Sequence, residues 1–134
     1  MASDEQSASV VAAMDVADAF LATFNAGDAR AHAETLGYPH VRLASGQVRI
    51  WNDVDEATAA IEVGMVAIRE RAGWDRSEWD HKRVIHDLGD KVHLDVQVTR
   101  YRADGSVIGV YPAVYVVVET PEAWRIQCRS SAAP

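Results

Sequence analysis

Two histidines in segments of alternating polarity have the clearest capacity for chemistry. His40 follows Gly37-Tyr38-Pro39, and the alternation of the segment places Arg42 on the same face. An imidazole whose pKa lies near neutrality can move a proton, and an arginine can hold an anionic or enolate oxygen. We therefore take His40 as the first candidate proton carrier and Arg42 as a candidate substrate anchor.

The second candidate, His81, lies in the segment WDHKRVIHDL, for which two faces are possible. One face carries Trp79, His81, Arg83 and Ile85, and the other carries Asp80, Lys82, Val84, His86 and Leu88. The first face is favoured for a pocket because it joins His81 to an aromatic wall, but each face carries one histidine and both interpretations remain open. The further candidates for pocket walls or substrate anchors are Tyr38, Trp51 and Trp79.

Composition and charge exclude several kinds of site and partner. The 134 residues suit a single domain, and the net charge of −7 with scattered basic residues disfavours nucleic acid or an anionic membrane as a partner. Cys128 is the only cysteine, so an internal disulfide and a CxxC site are impossible. The histidines lack the spacing of metal ligands, and the chain lacks a glycine-rich phosphate loop. We expect neither a metal nor a cofactor.

The N-terminus and the cysteine content predict a cytoplasmic protein. The opening sequence MASDEQSAS has neither the basic region nor the apolar region of a signal peptide. No run of residues approaches 18 consecutive apolar positions, so the sequence predicts no membrane span. Residues 1–6 are expected to be disordered.

Helical periodicity occupies the first half of the chain. Apolar residues recur at steps of three and four between Ser7 and Asn25, and Gly27 can end that helix. Asp28 is a suitable cap for a short second helix through Leu36. A third helix follows Asp53, with a buried stripe formed by Ala57, Ile61, Met65, Ile68 and Ala72.

The last sixty residues change to a period of two. A hairpin is predicted around residues 44–46, and four further strands form a meander from Trp79 to the end of the chain. The element order is α-α-β-β-α-β-β-β-β. Helices segregated from a run of antiparallel strands indicate an α+β fold.

The stretch FLATFNAGDARAHAETL, together with the ending WRIQCRSS, resembles the nuclear-transport-factor-2-like and SnoaL-like superfamily. This resemblance implies one domain over residues 1–134, in which three helices pack on a strongly curved antiparallel sheet to form a cone with an internal pocket. It also implies a homodimer through the outer face of the sheet. It says little about activity, because one fold hosts many functions.

The ketosteroid isomerases are relatives within this resemblance, and they use a tyrosine and two aspartic acids. Anchored on the NAGD motif, those positions fall at Phe20, Ala44 and Val114, so the three chemical groups are missing. Steroid-type isomerisation by that mechanism is therefore not expected. With Ala44 facing inward, strand parity also sends Arg42 and His40 inward.

The outer face of the sheet is the predicted dimer contact. Val92, Leu94, Val96 and Val98 form the core face of their strand, so His93 and Asp95 are predicted to face outward. The same parity assigns Tyr111, Tyr115, Arg125, Gln127 and Arg129 to the outer face. Cys128 is then a buried small residue, on the same face as Trp124 and Ile126.

Two functional hypotheses follow. The first is a cofactor-independent dehydratase, isomerase or lyase that uses histidine acid–base catalysis on a small aromatic or polyketide-like compound, and inward histidines in a pocket favour it. The alternative is a non-catalytic homodimer that binds a ligand or a partner protein in the same cavity. The absence of a complete catalytic set favours that alternative.

Overall fold

The computed structural model describes residues 7–134, and the prediction for residues 1–6 lies outside that range. Three helices and six strands follow the predicted order: α1 (Ala8–Asn25), α2 (Ala29–Ala33), β1 (Leu36–Ala44), β2 (Gln47–Trp51), α3 (Val54–Ala72), β3 (Trp74–Asp87), β4 (Lys91–Arg102), β5 (Val107–Glu119) and β6 (Trp124–Ser131). The predicted α+β class is confirmed.

The strands form one sheet in the order β2-β1-β6-β5-β4-β3. Every neighbouring pair is antiparallel except β1 and β6, which run parallel, so the sheet is mixed and not purely antiparallel as predicted. The parallel pair arises because the final strand returns beside the first one. This arrangement brings Arg42 next to Arg129 across the β1–β6 pair.

Side-chain caps fix the helix starts. Asp28 accepts a hydrogen bond from the backbone N–H of Ala31 at 3.0 Å, and Asp53 accepts one from Glu56 at 2.8 Å. The predicted cap Asp28 is therefore confirmed, and Asp53 caps the helix that was predicted to follow it. The second helix is shorter than predicted because Leu36 already begins β1.

The core lies between the helices and the concave face of the sheet, which we define as the face that carries the fully buried Leu94, Val96 and Ile126. Opposite it, Ala13 and Ala17 of α1 are fully buried, so the helix backbone packs close to the strands. Asp95, Val110 and Val114 lie on the opposite, convex face, on which none of the three helices of residues 7–134 packs.

A β-bulge in β3 changes which face its side chains occupy. The register with β4 shifts between Trp79, which pairs with Val98, and His81, which pairs with Gln97. A bulge inserts one extra residue, so the alternation reverses at that point. Trp79 therefore lies on the concave face and His81 on the convex face, and the predicted joint face of these two residues is wrong.

A second correction concerns β5. The pairing register sets Tyr111 opposite Val98 and Tyr115 opposite Leu94. Directly opposed residues share a face of the sheet, so both tyrosines point into the cone. Their predicted place on the outer face is wrong, and Val114, which was matched to a catalytic position by spacing, lies on the convex face instead.

A third correction concerns β6, where the register with β5 shifts between the pairs Val116–Cys128 and Val117–Ile126. Ile126 is fully buried in the core, and the bulge then turns Cys128 to the convex face and Arg129 to the concave face. The prediction that Cys128 faces inward and Arg129 outward is therefore reversed. His93 and Asp95, in contrast, face outward as predicted.

Helix α1 is long and apolar enough to be a candidate membrane span by length and composition, with a mean hydropathy of 1.3. In the fold only one face of this helix is buried, and that face packs on the sheet. Ala13, Ala17 and Phe20 pack against the sheet, and Asp18 forms an ion pair with Lys82 of β3. Length and composition alone are weak evidence for a span when the helix is packed in this way.

Candidate functional site

A cavity of about 210 Å³ lies inside the cone, between the concave face and the helices. The helix side contributes Phe20, Leu21, Phe24, His32, Ala60, Ile61, Gly64, Met65 and Ile68. The sheet side contributes Arg42, Arg49, Trp51, Ser77, Val98, Arg100, Tyr111, Ala113, Tyr115, Arg129 and Ser131, with Ala133 and Pro134 beyond the last strand. Pockets for drug-sized ligands span about 300–1,000 Å³. This cavity is smaller, so it suits a molecule smaller than a typical drug.

The polar wall of this cavity is cationic. Four arginines, Arg42, Arg49, Arg100 and Arg129, line it. Within residues 7–134, no aspartate or glutamate lines the cavity, and none of the four arginines takes part in an ion pair. The cavity is thus positive in a chain whose net charge is −7.

Arg129 lies at the centre of this cationic wall. Its side chain is buried, and its Nε donates a hydrogen bond to Nε2 of His40 at 3.1 Å. The guanidinium carbon lies 4.9 Å from the ring centre of Phe20 and 6.0 Å from that of Trp51. Burial and the neighbouring charge of Arg42 lower the pKa of Arg129 to about 10, so it remains a cation at neutral pH.

His40 faces inward as strand parity predicts, but it supports Arg129 and does not line the cavity. Its Nδ1–H donates to the carbonyl oxygen of Ile126 at 2.9 Å, and its Nε2 accepts from Arg129. The ring stacks on Trp51 with centres 5.9 Å apart. Burial and the charge of Arg129 lower the pKa of His40 to about 3, so the imidazole is neutral. Both ring nitrogens are occupied, which leaves neither one free to take a proton from a ligand.

Arg42 reaches the cavity from β1, in agreement with its predicted position. One terminal nitrogen donates to the carbonyl oxygens of Ala133 at 3.0 Å and Pro134 at 3.4 Å. Its Nε is buried and has no hydrogen-bond partner within residues 7–134. Burial, followed by the charges of Arg49 and Arg100, lowers the pKa of Arg42.

Of the three aromatic residues predicted as pocket walls, only Trp51 lines the cavity. Tyr38 packs against the core and donates its hydroxyl to the carbonyl oxygen of Ala33 at 2.7 Å. Trp79 also packs against the core, and its indole N–H donates to Asp18 at 3.1 Å. Both side chains help to close the cone from positions outside the cavity wall.

His81 lies on the convex face and does not reach the cavity. Its Nε2 lies 3.0 Å from a carboxylate oxygen of Asp95, and its Nδ1 lies 3.1 Å from a terminal nitrogen of Arg83. The sheet separates this group from the cone. His81 is therefore wrong as a residue of the cavity, and the bulge after Trp79 is the physical reason.

One histidine of the cavity was not among the candidates. His32 of α2 is buried, and its Nδ1–H donates to the carbonyl oxygen of Phe20 at 2.8 Å. The rings of His32 and Phe20 are tilted by 33° with centres 4.1 Å apart. Burial, with the charge of Arg129, lowers the pKa of His32 to about 3. His32 shares one helix face with Ala29 and Ala33, which are also buried. The spacing of these residues in the sequence could therefore have predicted that His32 is buried.

His86 and His93 form a pair of histidines on the convex face. Their Nδ1 atoms lie 3.0 Å apart. Burial, followed by the proximity of His86, lowers the pKa of His93. Over the described part of the chain, no group of three or more histidine, cysteine, aspartate or glutamate residues is placed to hold a metal ion. Two imidazoles without a third ligand do not make a metal centre.

Solved structures share this fold at low sequence identity. An NTF2-like protein with a cystatin-like fold from Novosphingobium aromaticivorans is 16% identical, covers 92% of this chain and 80% of its own, and has a TM-score of 0.73. A protein of unknown function with a cystatin-like fold from Nostoc punctiforme is 13% identical over 97% of this chain and 95% of its own, with a TM-score of 0.75. A ketosteroid isomerase-like protein from Erwinia carotovora atroseptica is 18% identical over 96% of this chain and 100% of its own, with a TM-score of 0.71. At these identities the likeness shows the fold alone.

A family model described as NTF2-like protein (DUF6841) matches residues 11–133 of the chain. The match begins inside α1 and ends beyond β6, so it includes every strand and all the residues of the cationic wall. Among curated proteins, none matches the sequence significantly.

Proposed function

Since the chain belongs to the NTF2-like protein (DUF6841) family, we propose that it binds a small organic molecule inside the cone. The observation that carries this proposal is the cavity, which combines an apolar helix side with a cationic sheet side. Sites for small molecules are concave, mostly apolar and equipped with a few polar groups that fix orientation. The cavity has this composition.

Aromatic and aliphatic side chains would supply most of the affinity. Phe20 and Phe24 of α1 face the cavity, with Ile61 and Met65 of α3 and Trp51 of β2. Removal of apolar surface from water is favourable by about 25 cal/mol for each Å². A flat or branched apolar body fits between these side chains, and the arginines then fix its orientation.

Gly64 offers a direct way to block the cavity. It lies on α3 at the cavity wall, and an added Cβ would meet no atom within 4 Å. Gly64→Phe is expected to fill the cavity and to weaken binding of a small aromatic ligand at least about tenfold, because the ligand loses its apolar contacts. Ligand-detected NMR with a panel of neutral and charged aromatic compounds, followed by calorimetric titration of those that bind, measures the effect.

Val63→Phe is the matched control for this experiment. Val63 precedes Gly64 on the same helix, is 72% exposed and does not line the cavity. The control variant should bind as the unmodified protein does. Equal binding by both variants would place the ligand outside the cone and contradict the proposal.

A histidine-dependent dehydratase, isomerase or lyase is the second candidate function, and the position of His32 favours it. His32 lines the cavity, and no hydrogen bond within residues 7–134 engages its Nε2. A general base works best when its pKa lies near the working pH, whereas the pKa of His32 lies at about 3. The proton carrier proposed from the sequence, His40, has both nitrogens occupied. Binding therefore has more support than acid–base catalysis.

We propose further that two copies of the chain associate through the convex face. Val110 and Val114 of β5 are 50% and 40% exposed, and β5 lies inside the sheet and not at its edge. Aliphatic side chains at the centre of an uncovered sheet face are typical of a contact between proteins. The tyrosines and Arg129, which first suggested this contact, face the cone and take no part in it.

A charge in the centre of the convex face tests the dimer. Val114→Lys is expected to convert a dimer into a monomer at micromolar concentration, because two like charges would be buried against each other. Light scattering coupled to size-exclusion chromatography measures the mass. Val63→Lys, on the exposed surface of α3, should leave the dimer intact. A monomeric unmodified protein would contradict the dimer and would leave the cavity proposal unaffected.

The single cysteine agrees with a proposed cytoplasmic location. Cys128 is half-buried on the convex face and its thiol is free. A free thiol persists in a reducing compartment, whereas disulfides are typical of oxidising ones. Fractionation of cells that produce the tagged full-length protein tests this location directly.

A further inference from the structure

The arginines of the cavity wall form no ion pair with an acidic side chain in the part of the chain that the structure describes. Arg129 and Arg100 are both largely removed from water, and Arg42 lies beside Arg129 across the β1–β6 pair. The described residues place no aspartate or glutamate side chain on this wall, where an oxygen of Pro134, 3.4 Å from Arg42, accepts one weak hydrogen bond. A buried charge is costly unless it is paired and hydrogen-bonded. The wall therefore favours an anion as its occupant.

The donors of Arg129 are oriented in advance. Its Nε is held by His40, which is itself fixed by the carbonyl oxygen of Ile126. No hydrogen bond within residues 7–134 engages the two terminal nitrogens of Arg129, and the residue lines the cavity. A guanidinium held in this way presents a planar fork, which matches the two oxygens of a carboxylate.

Two of the other three arginines of this wall, Arg42 and Arg100, also have no acidic side chain as a partner within residues 7–134. The Nε of Arg42 is buried without a partner in the described chain. Arg100 lies over the rings of Tyr111, at 4.9 Å, and Phe24, at 5.8 Å, so its charge contacts aromatic faces and no carboxylate. Three positive groups thus converge on one side of a cavity whose other side is apolar.

From these observations we infer that the cavity binds a small organic carboxylate. The aromatic or branched apolar body of this ligand lies against Phe20 and Trp51. Its carboxylate group is bound by Arg129, Arg42 and Arg100. This inference rests on the proposed binding function and adds the chemical class of the ligand. His40 acts as a positioning residue for Arg129. The cavity volume of about 210 Å³ limits the body to about one or two rings.

Matched pairs of acids and amides test the charge requirement. Phenylacetate, indole-3-acetate and 1-naphthoate are each compared with the corresponding carboxamide, which has nearly the same shape and no charge. At least one acid should bind about ten- to hundredfold more tightly than its amide at pH 7, because a hydrogen bond to a charged group contributes about twice as much as a neutral one. Calorimetric titration measures both affinities.

Variants assign the effect to the cavity wall. Arg129→Met should remove the preference for the acid while the amide binds as before, and Arg129→Lys should retain part of it. Arg100→Met provides a second variant if Arg129→Met does not fold, as judged by circular dichroism. Arg71→Met, on the exposed surface of α3, changes the net charge equally and should have no effect.

The outcomes separate this inference from the proposed function. Equal binding of acid and amide would overturn the carboxylate class and leave the binding function standing. Binding of neither would overturn both. Oxygens of Ala133 and Pro134 already contact Arg42. If an acid binds only after these two residues are removed, the C-terminal segment of the chain itself fills the site. That outcome would also overturn the inference.

Discussion

Acidification from pH 7 to pH 5 is expected to lower the free energy of unfolding by about 4 kcal/mol, with about 2 kcal/mol from each of two histidines. Burial, together with the charge of Arg129, lowers the pKa of both His32 and His40 from 6.5 to about 3. Between those values the unfolded chain binds protons that the folded chain does not. Stability is therefore fully present above pH 6.5 and is lost as the pH falls from there toward 3.

Urea unfolding at pH 7, 6 and 5 measures this loss. Most carboxylates remain ionised down to pH 5, so the two histidines dominate the change over this interval. His32→Asn should lower the slope of stability against pH by about half. A free energy of unfolding that is constant from pH 7 to pH 5 would show that the buried histidines are not held neutral.

Replacement of His40 by leucine is expected to lower the free energy of unfolding at pH 7 by about 2–6 kcal/mol. The variant leaves two buried groups without partners: the carbonyl oxygen of Ile126 and the Nε of Arg129. Each lost partner costs about 1–3 kcal/mol. The sequence-based hypothesis of a catalytic His40 predicts the opposite, namely that its replacement leaves the melting temperature nearly unchanged.

The matched control is His81→Leu. His81 pairs with Asp95 on the convex face, and partly exposed pairs of this kind contribute about 0–1 kcal/mol. His40→Leu should also flatten the pH profile, because it removes one of the two buried histidines whose pKa is lowered to about 3. Unchanged stability together with an unchanged profile would show that His40 does not support Arg129.

The helices and their caps could be predicted because they depend on local sequence. Asp28 and Asp53 cap the helices that follow them, and Gly73 ends α3 in the left-handed conformation with φ of 71°. These signals act over three or four residues. The face of β1 was also predictable, since the strand alternates without interruption from His40 to Ala44.

The bulges could not be predicted, and they account for two of the errors at the site. A bulge depends on the register between two strands, and a shift of one residue moves every later side chain to the opposite face. This effect separated His81 from Trp79 and brought Arg129 inward while Cys128 turned outward. Tyr115 was misplaced for a related reason, because its face depends on its pairing with Leu94.

The cationic wall was hidden in the sequence for another reason. Arg42, Arg100 and Arg129 lie far apart along the chain, and no spacing rule connects them. The parallel pairing of β1 with β6 and the inward turn of Arg129 bring them to one cavity. The sequence could suggest Arg42 as a candidate anchor, but it could not show that three further arginines line the same cavity. Nor could it show that the Nε2 of His40 accepts a hydrogen bond from Arg129.

Binding inside the cone is tested most directly by NMR chemical-shift mapping of the isotope-labelled full chain during titration with indole-3-acetate. We expect the largest changes at residues that line the cavity, above all at the indole N–H of Trp51 and the backbone amides of Gly64, Tyr115 and Arg129. Val110 and Val114 on the convex face should show little change. Changes confined to that face, or no changes at saturating ligand, would contradict the account.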